Sequence, residues 1–135
     1  MKKDLPENIV ENVAIAVVLE SSTPEFKNWK VYVLNLKNVA IETVLVSSKG
    51  YGEKDGKQVK TSILRHSIGT VTAQDYAAIE LIDEQVIGLT NEYWLSYYIG
   101  GQIFDKKFIF VPESIIDTNL SRIPLLNMPG VMIGQ

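Results

Sequence analysis

Apolar and polar residues alternate with a period of two along much of this chain. In the run from Val13 to Leu19 every second side chain is large and apolar, and those between are mostly small. This period is typical of a β-strand, whose successive side chains point to opposite faces. Trp29–Leu36 and Val39–Ser48 are rich in β-branched and aromatic residues, which also favour strands. The pattern predicts three strands in the first 48 residues.

Two short connections predict how neighbouring strands pair. Lys37-Asn38 is short enough to join Trp29–Leu36 directly to the strand that follows it, so we expect these two strands to form a hairpin. Gly100-Gly101 is a strong two-residue hairpin signal between Asn91–Ile99 and Gln102–Val111. We therefore expect a second hairpin near the end of the sheet-forming region.

The middle of the chain contains a charged, glycine-rich segment and, after it, a segment whose pattern fits either a strand or a helix. Lys49–Gln58 contains three glycines and five charged residues, which predicts a solvated loop or a flexible hairpin tip before a strand over Val59–His66. Val71–Ile82 alternates like a strand, although its alanine and glutamate content also permits a helix over Ala73–Glu84. We favour the strand. Its alternation would place four side chains on one face: Tyr76, Ala78, Glu80 and Ile82.

About seven short strands without a sustained helical period predict an all-β fold. The best match is an antiparallel two-sheet β-sandwich, immunoglobulin-like or fibronectin-like, with a small barrel as the alternative. Residues 1–112 form the sandwich domain in this prediction, and residues 113–135 form an apolar C-terminal tail. Within the tail, Ile123–Gln135 has no charged side chain and seven large apolar ones. We expect it to dock on its own domain or on a partner copy, which would make a homodimer.

Composition narrows the functional classes. The 135 residues suit one domain, and the absence of cysteine excludes disulfides and fits the reducing cytoplasm. No run reaches the roughly 18 to 20 apolar residues that span a bilayer, which predicts no membrane association. A formal net charge of -3 makes nucleic acid an unfavourable partner, because nucleic-acid binding depends on many Lys and Arg residues. Five cations are nevertheless concentrated in Lys49–Arg65.

Residues for common catalytic and metal sites are scarce. His66 is the only histidine, which excludes metal sites with two histidines. A Ser-His-Asp triad is possible by count, but the chain has no Gly-x-Ser-x-Gly sequence to expose a nucleophile. The glycines of Lys49–Gln58 match no phosphate-binding or dinucleotide-binding motif. We therefore predict no cofactor, no metal site and no catalytic residue.

Two aromatic and polar clusters are candidates for ligand binding. The glycine-rich segment and the next strand combine an aromatic ring with cations, which suits an anionic or peptide ligand. The candidate ligand-binding residues are Lys49, Tyr51, Arg65 and His66. The second candidate surface is the aromatic run from Tyr93 to Tyr98. Alternation leaves either Trp94 with Tyr98 or Tyr93 with Tyr97 facing away from the core.

Four segments of the chain resemble a group of short bacterial proteins without established function. They are Val-Leu-Val-Ser-Ser-Lys-Gly-Tyr-Gly at 44–52, Lys-Thr-Ser-Ile-Leu-Arg-His at 60–66, Asn-Glu-Tyr-Trp at 91–94 and Phe-Asp-Lys-Lys-Phe-Ile-Phe at 104–110. Some of these proteins are labelled as related to phenylalanyl-tRNA synthetase. The resemblance spans about Trp29–Pro112, implies a bacterial source, and assigns no catalytic residue.

These observations favour a non-enzymatic binding or assembly module. An enzyme would need a pair of activated groups in a cleft, which is hard to assemble from one histidine and no cysteine. Two alternatives are an RNA or tRNA accessory domain that uses the cations of Lys49–Arg65, and a small hydrolase or transferase subunit.

Overall fold

The computed structural model describes residues 8–134, and strands make up most of them. None of the helices in this range has the length and apolar character needed to cross a bilayer. The elements in chain order are β1 Val13–Thr23, β2 Phe26–Asn35, β3 Ile41–Lys54, β4 Lys57–Lys60, β5 Leu64–Val71, β6 Asp75–Ile82, α1 Glu84–Ile87, β7 Thr90–Ile99, β8 Gln102–Phe110, a 3-10 turn Asp117–Asn119, β9 Ser121–Ile123 and β10 Met128–Ile133.

The strands form two antiparallel sheets that pack face to face. The first sheet has the order β6-β2-β1-β10-β9, and the second has the order β4-β3-β7-β8. β5 lies beside β3 next to β4, so β4 and β5 share one edge of β3. This arrangement confirms the predicted all-β fold with two antiparallel sheets. It has more strands than the seven expected because a break at residues 61–63 divides one edge strand and the C-terminal segment adds two strands.

The predicted hairpin between Trp29–Leu36 and Val39–Ser48 is wrong. β2 pairs with β1 and β6, whereas β3 pairs only with strands of the second sheet. Asn35 explains the change of sheet, because its buried side-chain amide donates to the carbonyl oxygens of Val39 at 2.9 Å and Val71 at 3.0 Å. Its side-chain oxygen accepts from the Lys37 backbone N–H at 3.0 Å. The connection therefore crosses the sandwich instead of turning back within one sheet.

The hairpin predicted at Gly100-Gly101 is confirmed. β7 pairs with β8 up to Ile99 opposite Gln102, and both glycines have positive φ angles of 56° and 79°. Positive φ at both turn positions matches a two-residue turn that follows the twist of the strands. The charged segment Lys49–Gln58 also forms a hairpin, in which β3 continues to Lys54 and pairs with β4.

The choice of strand over helix is confirmed for Asp75–Ile82, but Val71 ends β5 and a turn follows it, so the strand begins later than expected. Its predicted facing is wrong. β6 contains a bulge where it pairs with Val31 and Tyr32 of β2. A bulge inserts one unpaired residue and reverses the alternation beyond it. Glu80 and Ile82 therefore face the second sheet, while Tyr76 lies on the opposite side with Ala78. This reversal points the Glu80 carboxylate into the sandwich.

Apolar packing covers the inner face of the first sheet and the β1–β2 part of its outer face. Its inner face contributes to the core between the sheets, where Val17 and Val33 pack with Leu95 of β7. The β1–β2 part of its outer face is buried by a second apolar cluster that includes the C-terminal segment: Ala14, Ala16, Val18, Tyr32, Leu34, Ile123 and Leu126. The alanines leave room for larger side chains to lie across β1.

Residues 113–134 of the C-terminal segment are part of the sandwich. β10 pairs with β1, with Val131 opposite Val17, and β9 pairs with β10 at the edge of the same sheet. Gly130 permits this contact because it approaches the β1 backbone opposite Val18. Gln135 lies outside the described residues.

Replacing Gly130 with alanine tests the packing of β10 on β1. The added carbon would lie 2.6 Å from the Val17 carbonyl oxygen and 2.9 Å from Ile123 Cγ1, so the strands would have to separate. We expect Gly130→Ala to lower the free energy of unfolding by about 1–3 kcal/mol, the usual range for overpacking.

Gly88→Ala is the matched control. Gly88 has a φ of -74° and no neighbouring atom within 4 Å of the added carbon, so its free energy of unfolding should change by less than about 0.5 kcal/mol. Urea denaturation measures both variants. Wild-type stability of Gly130→Ala would contradict the close packing of β10 on β1.

Candidate functional site

The outer face of the second sheet carries three of the four predicted ligand-binding residues. Strand pairing places side chains in rows across this sheet, and one row runs from Arg65 through Ser47 and Trp94 to Lys107. Lys49 and Tyr51 follow Ser47 at alternate positions of β3 and face the same way. We call this surface the open face. It exposes five large apolar side chains: Leu45, Trp94, Tyr98, Ile103 and Ile109.

Glu92 is the electrostatic centre of the open face. Its side chain is only 12% exposed, and it accepts a hydrogen bond from the Tyr51 hydroxyl at 3.1 Å. The Nζ atoms of Lys49 and Lys107 lie 3.7 and 4.0 Å from Glu92 Oε2. Each ammonium also lies near an aromatic ring, with Lys107 5.2 Å from the Trp94 ring and Lys49 5.8 Å from the Tyr51 ring. Both lysines are therefore engaged within the open face.

A shallow trough crosses the open face between Arg65 and Trp94. It has a volume of about 290 Å³. Ser47 is small and separates two long side chains in the same row, which leaves the space that forms the trough. The outward-facing side chains that line this Arg65–Trp94 trough are Leu45, Ser47, Arg65, Ser67, Trp94 and Ser96.

His66 lies on the other side of the second sheet from the three other predicted residues. It pairs with inward-facing Val46, and its Nε2 atom lies 2.7 Å from Glu80 Oε1. Ser48 donates a hydrogen bond to the same Glu80 oxygen at 2.7 Å, and Tyr93 donates to Glu80 Oε2 at 3.0 Å. One carboxylate of the first sheet therefore contacts three strands of the second.

The order of these groups differs from that of a serine hydrolase. In a catalytic triad the imidazole lies between the hydroxyl and the carboxylate, so that it can take the hydroxyl proton. Here Glu80 lies between Ser48 and His66, and each of them contacts the same carboxylate oxygen. The hydroxyl proton of Ser48 is therefore directed to a carboxylate, and the arrangement fits a structural link between the sheets.

A small cavity of about 160 Å³ adjoins the Glu80 cluster. It opens where the edge strand is interrupted after β4, and Thr61 closes the gap by accepting from the Gly50 N–H at 2.8 Å. Tyr93 and Asn91 line its inner wall. Among residues 8–134, no three His, Asp or Glu side chains are grouped in a way that could hold a metal ion.

The structure also decides which aromatic residues of β7 are accessible. Tyr93 and Tyr97 are buried in the core, and Trp94 and Tyr98 are exposed on the open face. The candidate ligand-binding residues predicted from sequence did not include Glu80 or Glu92, although each carboxylate contacts several side chains. No local pattern separates these two carboxylates from the others, because their partners lie on strands distant in the chain.

Comparison with known proteins does not assign a family. No protein-family model matches the chain, and no curated protein matches it significantly.

Replacing two buried tyrosines with phenylalanine tests the Glu80 cluster. Tyr93→Phe removes a hydrogen bond to a carboxylate, and we expect it to lower the free energy of unfolding by about 1.5–3 kcal/mol. Tyr97→Phe is the matched change, because the Tyr97 hydroxyl is buried without a hydrogen-bond partner among residues 8–134. It should leave the stability unchanged or raise it. Urea denaturation at pH 7 measures both, and equal losses would contradict the assigned role of Glu80.

The same tyrosines predict a loss of stability in alkali. Burial raises the pKa of Tyr97 from 10.0 to about 12, and burial together with the Glu80 charge raises the pKa of Tyr93. A phenol with a raised pKa in the folded state stabilises the fold fully below pH 10. That contribution is lost as the pH rises from 10 towards 12, because the unfolded chain ionises first. Urea midpoints should fall over this range, and Tyr97→Phe should show a shallower fall than wild type.

Proposed function

We propose that this protein is a non-enzymatic binding module and that the open face is its ligand-binding surface. The observation that carries the proposal is the difference between the outer faces of the two sheets. On the first sheet, Ala14, Ala16 and Val18 are fully buried beneath the C-terminal segment of the same chain, and Leu81 on the edge strand β6 is an exposed exception. On the second sheet, Trp94 and Leu45 are each 45% exposed. Exposed apolar side chains grouped on one surface are typical of interaction sites.

Two cations of the open face that form no ion pair within the described part of the chain favour an anionic ligand. The face carries the cations Lys49, Lys60, Arg65 and Lys107 beside the anions Glu42, Glu53, Glu92 and Asp105. Of these anions, Glu92 is already engaged by two of the lysines. Lys60 and Arg65 form no ion pair among residues 8–134, so a partner with acidic side chains suits them. Pairing of β10 with β1 of its own chain also favours contact through the open face over exchange of the tail.

The strand order of the two sheets resembles that of an immunoglobulin-like sandwich. β1, β2 and β6 are neighbours in one sheet, and β5, β3, β7 and β8 are neighbours in the other. This order supports an immunoglobulin-like relationship, because it matches strands A, B, E and C′, C, F, G of variable-type domains.

The absence of cysteine supports a cytoplasmic location of the protein, and the resemblance of four segments to short bacterial proteins supports a bacterial source.

RNA is the second candidate ligand. Trp94 could stack on a base, and Arg65 and Lys60 could contact phosphates. The net charge of -3 weakens this alternative, because the charge of the whole molecule repels a polyanion. An acidic protein partner presents fewer negative charges than RNA does, and its apolar side chains can contact the exposed apolar side chains of the open face.

A paired-variant capture experiment tests the proposed function. The variant Leu45→Ser/Trp94→Ser removes the central apolar contacts of the open face, and Phe26→Ser/Leu81→Ser removes two side chains that are 62% and 73% exposed elsewhere. Wild type and both variants are immobilised in native lysate, and the bound proteins are identified by mass spectrometry. We expect partners of the wild type to be lost from the first variant and kept by the second.

Equal folding of the three proteins is checked by thermal melting. Retention of every wild-type partner by Leu45→Ser/Trp94→Ser would contradict the open face as the binding surface. Loss of partners from both variants would likewise show that contacts outside the open face are responsible.

A further inference from the structure

We propose that the Arg65–Trp94 trough binds a carboxylate from an acidic, extended segment of a partner protein. This inference rests on the proposed function of the open face and names the group that the face recognises. It starts from the hydrogen-bonding groups that the trough presents.

Arg65 and the serines of the trough are uncommitted donors. Within residues 8–134, no side-chain hydrogen bond or ion pair involves Arg65, Ser47, Ser67 or Ser96. The lysines of the same face differ, because Lys49 and Lys107 both contact Glu92. A guanidinium presents a planar fork that matches the two oxygens of a carboxylate. The trough therefore combines a free fork with hydroxyl groups that can complete the carboxylate's hydrogen bonds.

The charge at the trough fits one carboxylate better than a phosphate. Phosphate groups on proteins are usually held by clusters of arginine. Here Arg65 is the single cation that lines the trough. A group with one negative charge is neutralised by this residue alone, whereas a doubly charged phosphate would remain partly unpaired.

The apolar walls indicate what surrounds the carboxylate. Leu45 and Trp94 border the trough, and each is 45% exposed. Arg65 and Trp94 belong to strands two positions apart in the sheet, so their backbones are roughly 10 Å apart at about 4.8 Å per strand. This width accepts one extended peptide strand with a glutamate or aspartate in the trough. Its neighbouring apolar side chain can lie on Trp94, since aromatic residues are common anchors of interfaces.

Nuclear magnetic resonance titration tests the proposal with a defined probe. The probe is a capped ten-residue glycine-serine peptide with Glu-Leu-Glu at its centre, and the matched peptide has Gln-Leu-Gln. The indole N–H signals distinguish the two tryptophans, because their surroundings differ. Trp94 lines the trough, whereas Trp29 is 4% exposed and its Nε1 donates a hydrogen bond to Glu84 Oε1 at 3.4 Å. We expect the glutamate peptide to shift the Trp94 signal and the amides of Ser47 and Ser96, with Trp29 unchanged.

Two charge variants identify the residue responsible. Arg65→Gln should raise the Kd of the glutamate peptide at least about tenfold, which corresponds to the loss of one charge-assisted contact. Lys57→Gln removes the same charge from the hairpin tip outside the trough and should change the Kd less than about twofold. Both positions are exposed, and thermal melting checks that each variant is folded.

Several results would overturn the proposal. They are equal binding of the glutamate and glutamine peptides, an unchanged Kd in Arg65→Gln, and the absence of shifts at millimolar peptide. Shifts of Trp94 and Ser47 by polyuridine or inorganic phosphate, without shifts by the glutamate peptide, would also overturn it. The capture experiment separates this failure from that of the proposed function, since partner loss from Leu45→Ser/Trp94→Ser would still support the open face.

Discussion

The hydrogen bonds of the Glu80 carboxylate hold the two sheets together at one edge of the sandwich. Glu80 belongs to the first sheet, and its three partners, Ser48, His66 and Tyr93, belong to three neighbouring strands of the second. A carboxylate that is 13% exposed is unfavourable unless its oxygens are paired, so the sheets cannot separate here without leaving a buried charge. The bulge in β6 is what directs this side chain inward. The link acts together with the apolar core, in which Val17 and Val33 of the first sheet pack with Leu95 of the second.

The link also bears on which side chains face outward on the open face. Because Ser48 and His66 are held inward, their neighbours Ser47 and Arg65 must face outward by strand alternation. Trp94 faces outward for the same reason, since adjacent Tyr93 is bound to Glu80. The residues that contact Glu80 and the residues that line the trough are therefore neighbours on the same strands and face opposite sides of the second sheet. A substitution in the cluster should disturb both stability and ligand contacts.

The two outer faces of the sandwich are covered to different extents. The C-terminal segment supplies β9, β10 and an apolar cover for the first sheet, in which Ile123 and Leu126 pack over β1 and β2. The second sheet has instead a network of Lys49, Lys107 and Glu92, and Trp94 stays exposed although Lys107 lies over its ring. Burial within the chain thus covers most of one outer face and leaves apolar side chains of the other accessible. This division supports binding, because a module needs an ordered surface whose apolar groups are not already used.

The sequence by itself determined most of the strands, the antiparallel two-sheet class and the Gly100-Gly101 hairpin, because alternation and turn chemistry act between residues close in the chain. It also predicted Lys49, Tyr51 and Arg65 as candidate ligand-binding residues from their charge and aromatic character, and these three lie on the open face. Tertiary structure alone decided that β2 and β3 lie in different sheets, that a bulge turns Glu80 inward, and that His66 faces away from Arg65. These features depend on pairing partners tens of residues apart and on the requirement that buried polar groups be bonded, and no short pattern encodes either.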